Sequence, residues 1–145
     1  EGSQAQMSAI YLDSSVLLRW LFQEEGAFHP PPPGARLVSS RLLVAETHRV
    51  LDRMGFAQGK QRAKLSRYSS ALHQWLEYLA YLPISEELIQ RTSLPFRSPL
   101  STLDGIHLAT ALAFQSKGEK DLLLMTHDSE LAEAARSEGI SVYSG

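Results

Sequence analysis

The chain has no cysteine. Disulfide bonds, thiolate zinc sites and cysteine nucleophiles are therefore excluded, and that composition suits a reducing compartment. No apolar run approaches the ~18 residues that a membrane-spanning helix needs. No basic segment followed by a long apolar one marks a secretory signal, so a cytoplasmic location is the expectation. Positive charge is not in excess either: 14 Lys and Arg stand against 16 Asp and Glu, a net charge of −2. That disfavours a protein that grips a polyanion by bulk charge alone. It remains compatible with a nuclease, because metal ions bring positive charge into an acidic pocket and local basic stretches guide a backbone.

What is present is the make-up of a soluble globular protein: 145 residues, 43% hydrophobic and 21% charged. That length fits one ordinary domain with a real core. Residues 7–145 are expected to form it. Glu1–Gln6 (EGSQAQ) reads as an expression-tag remnant, with Met7 as the natural start.

Short apolar strands alternate with helices along the chain. Strands are expected at Ala9–Leu12, Arg36–Ser40, Tyr81–Ile84, Asp121–Thr126 and the final ISVYS. Helices are expected at Ser14–Phe22, Arg41–Met54, Gln61–Tyr78, Glu86–Thr92, Leu103–Ser116 and Ser129–Glu138, the last stopped by Gly139. The GFAQGK stretch reads as a break between two of these helices. His29–Gly34 (HPPPPG) is a stiff loop, since four successive prolines lack N–H donors. Strands apolar on both faces and interleaved with helices indicate an α/β three-layer sandwich. Its central, mostly parallel five-stranded sheet is flanked by helices.

In such a sheet, ligands sit beyond the carboxyl ends of the strands. Asp13 follows the first strand and Asp128 follows LLLMT. Glu46 lies within the helix after RLVSS, and Asp104 opens the helix before LLLMT. Each has a structural alternative. Asp13 and Asp128 are good helix N-caps, and Ser101 with Asp104 has capping-box spacing. Glu46 sits mid-helix at the edge of the stripe formed by Leu43, Val50 and Met54. An anion there is costly unless it is paired, with Arg49 or Arg53 for instance, or binds a metal. Taken together, four carboxylates converging on one sheet edge repel and need a cation. An all-oxygen set points to Mg²⁺ or Mn²⁺, and such ions suit in-line attack of water on a phosphodiester with no covalent intermediate.

Four blocks, YLDSSVLL, SSRLLVAETHRVL, LSTLDGIHLATAL and LMTHDSEL, occur in an order and at spacings that resemble the PIN-domain (PilT N-terminal) family of nucleases over Ala9–Tyr143. The likeness is greatest to the VapC-type toxins of toxin–antitoxin pairs. The resemblance implies that Asp13, Glu46, Asp104 and Asp128 are catalytic, metal-binding acids. It implies supporting roles for Ser15 and for Thr126 of the closing T-x-D. It also implies a metal-dependent endoribonuclease acting on RNA such as tRNA or ribosomal RNA, a cognate antitoxin and a homodimer. The HPPPP insert departs from the family pattern in the loop before the second strand.

Other polar residues carry weaker signals. His107 reads as a hydrogen-bonded structural histidine rather than a ligand, and His127 as exposed. Lys60, Arg62, Lys64 and Arg67 are RNA-guiding candidates, with a solvated helix face as the alternative. Trp20 and Trp75 fit apolar stripes. A phosphatase of the haloacid dehalogenase type is rejected, because its second aspartate would fall where Ser15 stands. A PIN nuclease with a housekeeping role in RNA or DNA processing, and a non-catalytic binding module, are the remaining rivals.

Overall fold

The computed structural model describes residues 8–57 and 62–143, and the side chains of residues 57 and 62 are left aside. The elements in chain order are β1 (Ile10–Leu12), α1 (Ser14–Phe22), β2 (Leu37–Ser40), α2 (Leu42–Ala57), α3 (Arg62–Tyr78), β3 (Ala80–Leu82), α4 (Glu86–Thr92), α5 (Thr102–Ser116), β4 (Leu123–Met125), α6 (Ser129–Ser137) and β5 (Ser141–Val142). The five strands form one sheet in the order β3-β2-β1-β4-β5. Every pairing in it is parallel.

The pleat of β1 divides the core between the two faces of this sheet, because successive side chains point to opposite sides. Ala9 and Tyr11 join Val38 and Leu124 against Leu108, Ala111 and Phe114 of α5 and Leu131, Ala134 and Ala135 of α6. Ile10 and Leu12 join Leu37 and Met125 against Val16, Leu17 and Leu21 of α1, Leu43 and Leu51 of α2, and Leu72 of α3. The result is the expected three-layer sandwich. Helix α4 packs on the outer side of α5, where Leu88 meets Ile106 and Ala109.

Strand order reverses at β1: the chain first builds outward through β2 and β3, then returns to the other side of β1 with β4 and β5. The crevice between β1 and β4 at their carboxyl ends is therefore the switch point, where open α/β sheets bind ligands.

Several element ends differ by one to three residues from those read in the sequence, and two of the differences have a clear physical reason. Helix α2 does not stop at Met54 but runs through Gly55 and Phe56 to Ala57. A Cβ on Gly55 would lie 3.2 Å from Leu65 Cδ2, so this glycine lets α3 approach closely rather than ending the helix. Strand β3 occupies Ala80–Leu82, not Tyr81–Ile84, in the register Val38↔Ala80 to Ser40↔Leu82. Pro83 has no N–H to carry the ladder further. Among the described residues no helix is long and apolar enough to cross a membrane.

Candidate active site

Parallel pairing brings Asp13 and Thr126 together. The β1–β4 register ends at Leu12↔Met125, so the next residue of each chain segment emerges side by side. The Asp13 N–H closes the ladder on the Met125 carbonyl at 3.1 Å. Asp13 occupies the N-cap position of α1, yet its side chain accepts no capping hydrogen bond. Instead Oδ2 accepts from the hydroxyls of Ser15 and Thr126, each at 2.7 Å. Ser15 Oγ also accepts from the His127 N–H at 3.0 Å, and Thr126 Oγ1 from the Asp128 N–H at 3.0 Å. These bonds lock the two strand ends to each other and leave Asp13 Oδ1 facing His107 at 3.7 Å. The Asp13 side chain is only 7% exposed, a costly position for a carboxylate that does no capping.

Glu46 reaches the same place from α2. It pairs with neither candidate arginine: Arg49 binds Asp52 at 3.0 Å, and Arg53 forms no ion pair with Glu46. Its partner is His107 of α5, whose Nε2–H donates to Glu46 Oε1 at 2.6 Å. His107 is fully buried, and its Nδ1 lies 2.7 Å from the Tyr11 hydroxyl. Burial alone would lower the His107 pKa. The hydrogen bond with Glu46 and the charges of Asp13, Glu46 and Asp104 outweigh burial and move it upward. One ligand atom each from Asp13, Glu46 and His107 lies within 4.8 Å of the other two.

Asp104 and Asp128 lie beside this group, not within it. Ser101 caps α5 by accepting from the Asp104 N–H at 3.3 Å. Only this half of the capping box forms, so the Asp104 carboxyl is left for other work. Burial, the charges of Asp128 and Asp13, and a hydrogen bond with Asp128 together push its pKa from 3.8 to about 6. Asp128 does cap: Oδ1 accepts from the N–H groups of Glu130 (2.9 Å) and Leu131 (3.3 Å) at the start of α6. The capping reading and nearness to Asp104 are therefore both true of Asp128. Asp13, Glu46 and His107 form the tight group at the β1–β4 switch point, and Asp104, near enough to feel the charges of Asp13 and Asp128, lies outside it.

A cavity of about 520 Å³ between α4 and the start of α5 contains none of these acids. Its lining, from Ile89 and Leu94 to Ser101 and Ile106, has no titratable side chain, so it offers no acid–base or metal chemistry.

The PIN domain family model matches residues 10–137, a span that includes all four acids. The chain belongs to the PIN domain family. Solved structures share the fold of this PIN domain. FitAcB from Neisseria gonorrhoeae is 21% identical with a TM-score of 0.57, over 92% of this chain and 96% of that one. VapBC-5 from Mycobacterium tuberculosis, described as a member of the VapBC family of toxin–antitoxin systems, is 19% identical with a TM-score of 0.52, over 94% and 96%. No curated protein matches the sequence.

The remaining candidates that the structure describes fall outside the cluster. Lys60 lies outside the described residues, as does the side chain of Arg62. Lys64 and Arg67 are exposed on α3, with Lys64 Nζ 5.9 Å from the centre of the Tyr68 ring. Trp20 and Trp75 stack on each other at 5.1 Å between α1 and α3. His127 is not exposed as expected: it is half-buried and stacks on Phe28 at 4.0 Å. Trp20 Nε1–H holds the Phe28 carbonyl at 2.7 Å, which ties the segment before the proline run to the edge of the site. Burial first, then the nearby Arg19 charge, lower the His127 pKa.

Proposed function

We propose that this PIN domain is a divalent-metal-dependent endoribonuclease, the toxin of a type II toxin–antitoxin pair. The observation that carries the reading is Asp13: a carboxylate buried at a sheet switch point, relieved of capping, grouped with Glu46 and close enough to Asp104 to raise its pKa. Like charges gathered this closely are stable only with a cation or a proton among them, and the upward shift of Asp104 is the proton's share of that answer. The carboxylate oxygens suit a hard ion, and Mg²⁺ or Mn²⁺ fits them. Such an ion, when bound, supplies positive charge against phosphoryl oxygens and acidifies water.

The residues divide the remaining work. Asp13, clamped by Ser15 and Thr126, and Glu46, clamped by His107, are the fixed ligands. Asp104 and Asp128 are partly exposed and are the carboxylates left to complete the ligand set and take the proton of the attacking water. No nucleophilic side chain is required. The basic candidates Lys60, Arg62, Lys64 and Arg67 guide the RNA backbone. An antitoxin that blocks the acid cluster completes the reading, supported by the likeness to VapBC-5, a member of a toxin–antitoxin family, and a homodimer is proposed with it. The test is cleavage-site mapping of total RNA after brief expression of the parent and of Asp13→Asn. New 5′ ends at defined positions in tRNA or ribosomal RNA, absent with the variant, are expected. Identical RNA ends in both would overturn the proposal.

A further inference from the structure

We propose that His107, held from behind by Tyr11, is a positioning residue that fixes Glu46 for cation binding and does not itself ligate the cation. The inference rests on the divalent-cation reading of the acid cluster. It concerns the bonds Tyr11–His107 and His107–Glu46, which span 96 and 61 residues of sequence.

Geometry decides the role of the ring. The Glu46 carboxylate can only accept, so Nε2 carries the hydrogen between them whether the ring is neutral or charged. In the neutral ring Nδ1 is then an acceptor, and the Tyr11 hydroxyl 2.7 Å away is its donor. Both nitrogens are thereby engaged, and no part of the ring is exposed. Tyr11 is equally buried and cannot swing away. Its ring meets His107 edge-on at 5.7 Å and Phe114 at 6.2 Å, so it is wedged between the site and the core of α5. Glu46 by contrast is a flexible side chain on a helix flank, 18% exposed. A fixed donor at Oε1 removes that freedom and leaves Oε2 to a cation. Groups that orient a ligand in this way typically change metal affinity by about 10–100-fold when removed.

The alternative is direct ligation by His107 Nε2, which the mutual proximity of Asp13, Glu46 and His107 would allow if Glu46 turned aside. Mn²⁺ titration of four proteins separates the two. The parent should bind Mn²⁺. Tyr11→Phe, which keeps the ring and loses only the hydroxyl, should bind about tenfold more weakly while melting in EDTA within a few degrees of the parent. His107→Leu should lose more, and His107→Gln, whose side-chain amide can donate to Glu46, should regain most of the loss. Pulsed electron paramagnetic resonance of Mn²⁺ on the parent should show no directly coordinated nitrogen. Parent affinity in both Tyr11→Phe and His107→Leu overturns the positioning role, and so does a coordinated ¹⁴N signal. Failure of the parent itself to bind Mn²⁺ overturns the cation reading and this inference with it.

Discussion

Thr126 Oγ1 donates to Asp13 Oδ2 at 2.7 Å across 113 residues of sequence. This bond joins the ends of the two strands that flank the switch point, and the same hydroxyl receives the Asp128 N–H. Thr126→Val keeps the shape of the side chain and removes both bonds. Leaving buried polar groups unpaired costs about 1–3 kcal/mol. Urea unfolding of the metal-free proteins should show a loss in that range. A variant as stable as the parent would mean that Ser15 alone suffices to hold Asp13.

Asp104 makes the metal-free fold sensitive to pH. Its folded pKa of about 6 lies above the 3.8 of the free side chain. Between those values the folded chain keeps a proton that the unfolded chain releases. The stability from this group is therefore complete below about pH 4 and is lost as pH rises through about 6. Asp104→Asn abolishes that decline, and the Ser101 cap, made to the backbone, survives the change. Melts in EDTA should show the parent falling relative to the variant from pH 4 to 6, with the variant no less stable at pH 7. Added Mn²⁺ should then raise the parent more, because a ligand stabilises the state that binds it. A metal-free variant that melts far below the parent, with both shifted equally by Mn²⁺, would make Asp104 a purely structural residue.

Asp128 has two separable duties. Asn is as good an N-cap as Asp, so Asp128→Asn should keep α6 intact while removing the charge. Asp128→Ala should lose the bonds to Glu130 and Leu131 as well, at a cost of about 1 kcal/mol. Nuclease activity should be lost in both, and stability in the alanine variant alone. Full activity in Asp128→Asn would reduce this residue to a cap.

The positions of these acids along the elements were legible in the sequence, because short apolar strands announce their own ends. Asp13 and the Thr126–Asp128 pair sit just past such runs, and a parallel sheet brings strand ends to one edge. The partner of Glu46 was not legible. Helical spacing points to local arginines, whereas the actual partner, His107, lies 61 residues away on a helix that packs across the sheet. Only the packing of α5 against β1 and β2 brings it there. The same limit applies to Gly55, which reads as a helix break by local propensity but serves the contact with Leu65. It applies again to His127, whose cover is Phe28 from a loop of no regular structure.

The most direct test of the central claim is cleavage of purified RNA by the parent and by Asp13→Asn, with Mg²⁺ or Mn²⁺ and with EDTA. Asp13→Asn keeps the acceptor for Ser15 and Thr126 but removes the charge at the centre of the acid cluster. The account predicts cleavage by the parent with either metal, none in EDTA, and a loss of at least a hundredfold in the variant, about 2.7 kcal/mol of transition-state stabilisation or more. Cleavage by the parent that persists in a strong chelator, or that the variant reproduces at the same rate, would contradict it.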